Sequence, residues 1–351
     1  MLDVLIALAP TLIFAFVVFP IQTISFFAIS AAIMVFAEFV FVGLTHMMPK
    51  DGEKHTFKEL FTYAYKGRYK PVNIVSPIVS AAIYTLITPP GASYWAVIVG
   101  AVIGIVFGKL VFGGLGQNIF NPAAVGMVAA KLSFGKSYAT PVNSWFYPTF
   151  DAVAGGTALG QVGNSFANIN NFNFLDMFLG KMPGTLGEVY TVTIIVGLIY
   201  LLIRHTIDWR IVVSYLGTFG VMMLIAGGIV NSIMPEVAFY DFLGFQFLSG
   251  GVMFGAVFMF TDPVTGPITK PGRVMFGMIG AVLTVLIRLF GALPEGVAFS
   301  ILIANMFVPV LDFPKWSNVK YTWKNMLAMG LIFVIPTIIM ILSLFFGGIV
   351  K

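Results

Sequence analysis

Three short runs hold the residue types best suited to chemistry. The first is Gly113-Gly114-Leu115-Gly116-Gln117-Asn118-Ile119-Phe120-Asn121-Pro122. Its three glycines let backbone or a flat ligand approach closely, and Pro122 suits the first turn of a following helix. Asn118 and Asn121 are three apart, so at a helix entrance both amides can face one side. Inside a membrane an unpaired amide is costly, so each needs a partner. Helix capping with tight helix packing explains the same spacing equally well. The second run, Asp151-Ala152-Val153-Ala154-Gly155-Gly156-Thr157-Ala158-Leu159, surrounds the Thr157 hydroxyl with small residues that leave it accessible to another molecule or enzyme. Its plain reading is a glycine turn with a surface threonine. The third, Thr261-Asp262-Pro263 through Arg273, has three prolines and two glycines. That composition makes a rigid, ordered loop, able to gate a path, dock a partner or serve structure alone.

Ionisable residues inside apolar segments are expensive and default to functional candidates. Glu38 lies within the second apolar segment and is the best candidate for handling a cation; close to the interface it would instead be a solvated carboxylate. Asp262 and Glu188 fall at helix boundaries, where water can solvate them, and Arg288 falls near the outer end of the ninth segment. His46, His55 and His205 have no metal-site spacing. The chain has no cysteine, which excludes disulfides, thiolate metal sites and iron–sulfur ligation by its own residues. No catalytic residue and no metal ligand are expected.

The elements that position these residues must be membrane helices. Of 351 residues, 59% are hydrophobic and 9% charged, with a mean hydropathy of +0.97, against roughly a quarter charged in soluble domains. Apolar runs at 2–19, 22–45, 72–88, 93–112, 119–134, 189–203, 211–231, 246–261, 274–290, 297–312 and 326–349 predict an all-α polytopic protein of about ten or eleven spans. The first run has no basic segment before it, so it reads as a spanning helix rather than a signal peptide. The intervening segments are short except for 46–70 and 135–187; the second is too long for an idle connection.

Charge sets the orientation. With the N-terminus inside, the inner loops hold 14 of the 19 basic residues, Lys109, Arg204, Arg210, Lys270 and Arg273 among them. The outer side keeps Lys131, Lys136, Lys181, Arg288 and Lys351. The positive-inside rule thus makes the N-terminus cytoplasmic and 135–187 extracytoplasmic. It explains the net charge of +5 without nucleic acid. Thr88-Pro89-Pro90 and Thr261-Asp262-Pro263, each followed by a glycine-containing helix, fall on opposite faces, the pattern of an inverted repeat. The domains expected are a first five-helix repeat (1–134), the outer loop (135–187), a second repeat (188–312) and a basic segment with an extra terminal helix (313–351).

Taken in order, these motifs resemble the RnfD/NqrB family, whose members are membrane components of the Rnf electron-transport complex and of the related sodium-pumping NADH:quinone reductase. The resemblance runs from MLDVLIALAP to the ANMFVPVLD segment. It includes FGGLGQNIFNPA (112–123), the D-A-V-x-G-x-T-x-L block (151–159), GTLGE (184–188), DWR (208–210) and FTDPVTGP (260–267). It implies an inverted repeat of urea-channel-like fold in a prokaryotic inner membrane. It also implies FMN linked to Thr157 by a phosphoester, with Asp151, Gly155 and Gly156 as motif positions and a separate flavin transferase as partner. A second, noncovalent flavin, riboflavin, is implied near Asn118 and Asn121. The complex implied couples electron transfer between ferredoxin and NAD to movement of Na⁺ or H⁺. Glu38 and Asp262 are candidates for the ion path, and iron–sulfur and nucleotide sites belong to partner subunits. The chain is then one subunit of an oxidoreductase, embedded in lipid and not catalytic alone. Ala154, Gly156 and Ala158 depart from the usual serine, alanine and proline, and Val189-Tyr190 from Thr-Ser. The chain also begins at its first helix, without the usual polar lead. Two other classes fit the residues: an inverted-repeat solute channel or secondary transporter, and a scaffold subunit without flavin.

Overall fold

The structure is a computed structural model that describes residues 1–46, 57–66, 69–138, 158–162, 166, 169, 172–291, 296–314 and 320–346. Among these residues every regular element is helical. Five apolar helices precede the 135–187 segment: α1 (Leu2–Val18), α2 (Pro20–His46), α4 (Val72–Leu86), α5 (Tyr94–Gly108) and α6 (Pro122–Phe134). A short amphipathic helix, α3 (Phe57–Tyr65), lies between α2 and α4. Two five-residue helices, α7 (Ala158–Val162) and α8 (Phe174–Phe178), lie in the segment itself. Then come α9 (Thr191–Ile203), α10 (Trp209–Ile233), the bent pair α11 (Phe239–Leu248) and α12 (Val252–Met259), α13 (Lys270–Phe290), α14 (Val297–Leu311) and α15 (Trp323–Phe346).

Every expected span has a helix, but fewer are long than the apolar runs suggest. Among the described residues five are long and apolar enough to cross a membrane, or six with the bent pair. The helices α1, α4, α6, α9 and α14 have only 13 to 17 residues, about 20–25 Å of rise against a hydrocarbon core of about 30 Å. Local chemistry sets these shorter bounds. Asn121 caps α6, its Oδ1 accepting from the backbone N–H groups of Ala123 and Ala124, and Pro122 takes the first turn. Ser93 caps α5 and Asp208 caps α10 in the same way.

The single helix expected over 246–261 is instead two, bent by 52°. The bend falls at Ser249-Gly250-Gly251, where Gly250 has φ +61°, a conformation costly for any residue with a Cβ. The second piece winds into a π-helix over Gly255–Met259, closed by the Phe260 N–H on the Gly255 carbonyl at 2.8 Å. Such π segments concentrate at functional sites. The 46–70 loop is also not plain connection. In α3, Tyr65 stacks on Phe39 of α2 at 4.5 Å and donates to its carbonyl at 3.1 Å.

Small residues bring the helices together, as they must where lipid offers no hydrophobic drive. Gly100, Gly104 and Gly108 form one face of α5 against the backbone of Pro122–Gly126 in α6; a Cβ at Gly104 would lie 2.6 Å from the Pro122 carbonyl. Gly277 does the same for α13 against α10. At one end of the bundle, Arg204 pairs with Asp3, Arg273 and Arg210 with Asp208, and Asp312 accepts from the Ile268 and Thr269 N–H groups. Burial opposes the Asp208 charge, but the Arg210 N–H and the Arg273 guanidinium outweigh it and hold the carboxyl below its ordinary range.

Candidate functional site

A cavity of about 230 Å³ opens where the two sets of helices meet. The first set supplies Ser76 and Ser80 of α4, Lys109 just past α5, and Asn118, Asn121 and Pro122 at the entrance to α6. The second supplies Val257 and Phe258 of the π-helix and the loop Thr261-Asp262-Pro263-Val264. Asn305 of α14 bridges the two loops: its Oδ1 accepts from the Asn121 N–H at 3.4 Å, and its Nδ2 donates to the Thr265 carbonyl at 3.0 Å. Two sequence motifs about 140 residues apart are thereby held at one site.

The two asparagines divide the work. Asn121 spends its Oδ1 on the α6 cap, so the capping reading of its spacing holds. Asn118 caps nothing. It is 7% exposed, its Nδ2 reaches the Phe120 carbonyl at 3.4 Å, and its Oδ1 has no partner among the described residues. The glycines before it, at φ +112°, +89° and +86°, make the turn that delivers it. Asp262 is half-buried; its Oδ1 accepts from the Val264 N–H at 3.1 Å and its Oδ2 from the Thr265 hydroxyl at 3.3 Å.

Glu38 is deeply buried, not solvated at an interface. Its carboxylate lies 2.8 Å from the Lys109 Nζ, and both side chains are 2% exposed. The ammonium also donates to Ser76 Oγ at 3.0 Å. Lys109 therefore faces the cavity with Glu38 behind it, and it is not the inner-loop charge that the tally of basic residues makes it. An apolar run on both sides, FGK-LVFGG, is the available signal: a lysine so placed must be paired or at an interface. Ser76 and Asn305 carry no such signal in the sequence.

Glu188 and Arg288 belong to a second buried cluster, at the bend between α11 and α12. Arg288 is 8% exposed and donates to the carbonyls of Gln246 and Ser249 at 2.8 and 2.9 Å. These are the carbonyls that the broken helix leaves without intrahelical partners. A Cβ on Gly251 would collide with the Glu188 carboxylate, so that side chain lies buried against the bend rather than in water. Leu159 packs onto Gly250 beside Arg288, and the Ala158 N–H donates to the Pro183 carbonyl at 2.9 Å.

Comparison with known proteins decides what this architecture is. The model of the NQR2, RnfD, RnfE family matches residues 1–318. The chain belongs to that family. Among relatives, it is 35% identical to the D component of the ion-translocating oxidoreductase complex of Stutzerimonas stutzeri, over 68% of this chain and 73% of the relative. It is 34% identical to the D component of the proton-translocating ferredoxin:NAD(+) oxidoreductase complex of Clostridium ljungdahlii, over 71% and 76%. It is also 34% identical to the B component of the Na(+)-translocating NADH-quinone reductase of Chromohalobacter salexigens, over 70% of this chain and 60% of that longer protein.

The NQR2, RnfD, RnfE family match spans every motif residue. Asn118, Asn121 and Asp262 line one cavity, and Glu38 joins it through Lys109. Asp151, Gly155, Gly156 and Thr157 lie outside the described residues. Among the described residues no group of three or more His, Asp or Glu could hold a metal.

Proposed function

We propose that this chain is the flavin-carrying membrane subunit of an Rnf-type ferredoxin:NAD oxidoreductase that couples electron transfer to Na⁺ or H⁺ translocation. The observation that carries the reading is the central cavity, where the GQNIFNP and TDPVTG segments of a family member meet over a buried ion pair. In this reading the chain is an inverted repeat in a prokaryotic inner membrane, with residues 1–134 and 188–312 as its units. The N-terminus is cytoplasmic, and 135–187 faces outward, where a flavin transferase loads FMN onto Thr157. Iron–sulfur and nucleotide-binding subunits are its partners.

The cavity residues suit a second, noncovalent flavin such as riboflavin. The unpartnered Asn118 carbonyl can accept a ring N–H, the Asn121 amide nitrogen can donate to a ring carbonyl, and Val79, Ile83, Val257 and Phe258 offer apolar walls. Flavin at either position supplies one- and two-electron redox chemistry. The protein orients the ring, excludes water and places Glu38 and Asp262 where a cation can balance charge in a low-dielectric site. The relatives' names divide between Na⁺ and protons, so the reading names both.

Co-expression with a flavin transferase, followed by a denaturing gel viewed under ultraviolet light, tests the attachment. Wild-type protein should fluoresce and Thr157→Ala should not. A dark wild-type band beside an active transferase control removes the covalent flavin and leaves a solute channel or transporter as the better account.

A further inference from the structure

We propose that Lys109 is a fixed counter-charge that limits the central cavity to one monovalent cation. The inference rests on the ion-path reading above and adds the residue that tunes it. Among the described residues the charged side chains around the cavity are few. Glu38 comes from α2, Lys109 from the end of α5 and Asp262 from the loop after α12. Tyr69, before α4, is near enough to feel the Glu38 charge. Ser76 and Ser80 of α4, Asn118, Asn121 and Thr261 add neutral oxygens and amides. With both carboxylates ionised and the ammonium on Glu38, these three side chains sum to one negative unit.

That arrangement differs from a structural ion pair. Lys109 lines an open space, although its side chain is only 2% exposed. Its second partner is a serine hydroxyl, an exchangeable one, rather than a helix carbonyl. Asn118, more than nine-tenths buried, lines the same space with a carbonyl oxygen that has no partner among the described residues, and Asp262 lines it as well. Oxygen donors of this kind suit a hard cation such as Na⁺, or a hydrated proton. One cation against Asp262 brings these side chains to neutrality; a second would be held only if Lys109 lost its charge. Asn118 is then common to the cation and to the noncovalent flavin.

The test uses the whole complex in proteoliposomes. Ferredoxin-driven NAD reduction is measured against Na⁺ concentration, with choline as replacement, and against pH. Lys109→Met removes the counter-charge, so the half-saturating cation concentration should fall by roughly ten- to thirtyfold on the axis that the complex uses. Glu38→Gln leaves Lys109 facing Asp262, so the same constant should rise by roughly that factor. The double variant, with neither charge, should return close to wild type. Where Lys109→Met fails to assemble, Glu38→Gln against the double variant carries the test, with a difference of at least about tenfold expected. Shifts in the same direction, or constants unmoved on both axes, overturn the role of Lys109. If Asp262→Asn also leaves the cation dependence unchanged in a complex that keeps its flavin fluorescence, the ion-path reading itself fails. If Asp262→Asn abolishes that dependence while the Lys109 variants leave it unmoved, only the lysine inference fails.

Discussion

Among the described residues a basic side chain is buried in two places, and the two are used differently. At the bend between α11 and α12, Arg288 spends its guanidinium on the Gln246 and Ser249 carbonyls. Its planar fork matches what a broken helix lacks, a donor for each of several carbonyls. At the centre, Lys109 meets a carboxylate and a hydroxyl and borders empty space. Burial and charge alone do not separate the two residues. What each cation is bonded to, and whether a ligand has room beside it, does.

Stability measurements on the two clusters should separate them further. Glu38→Ala leaves the Lys109 ammonium buried without its counter-ion, at a cost of about 3–5 kcal/mol. Replacing both residues by apolar ones of similar volume should recover most of that. Thermal unfolding in detergent reads both outcomes, and a double variant no better than the single would show that the pair is not what holds this region. Arg288→Met should cost about 3 kcal/mol by leaving helix-end carbonyls without donors, yet leave the cation constants of the complex unmoved. A changed constant would mean that the bend takes part in ion handling.

The asparagines give a smaller contrast of the same kind. Asn121→Ala should cost about 1 kcal/mol through the lost α6 cap. Asn118→Ala should leave the unfolding midpoint nearly unchanged, because its side chain makes only one long hydrogen bond. Equal midpoint losses would contradict that division. The smallest effect concerns pH. The Asp208 carboxyl is held below its unfolded value of about 3.9, so its contribution is full above that value and fades as pH falls through the lower, folded one. Asp208→Asn should therefore show less loss of midpoint than wild type on acidification below about pH 4.

Much of the helical frame was legible in the sequence because long apolar runs leave a chain few alternatives to helix. Asn121-Pro122 announces its own cap. The bend is less visible: an apolar window averages across Ser249-Gly250-Gly251, although the glycine pair marks a place where a helix can break. The amphipathic α3 is hidden inside a polar loop, since its apolar face exists only at helical spacing. Glu38 and Asp262 stand out as isolated acids, and the structure puts both near one cavity. Lys109 escapes a tally of basic residues by side, which treats every lysine as solvated. Its partner lies 71 residues earlier, a proximity that only packing creates. Thr157 is singled out by the resemblance rather than by its small neighbours, and it lies outside the described residues.

The central claim is that the cavity is the working site and the bend is scaffold. Noncovalent flavin, released by acid from purified complex and quantified by fluorescence, tests it most directly. Wild type and Arg288→Met should both release it, while Asn118→Leu, which fills the cavity and removes its free carbonyl, should release none. Flavin retained by Asn118→Leu, or lost from a folded Arg288→Met, would contradict the account.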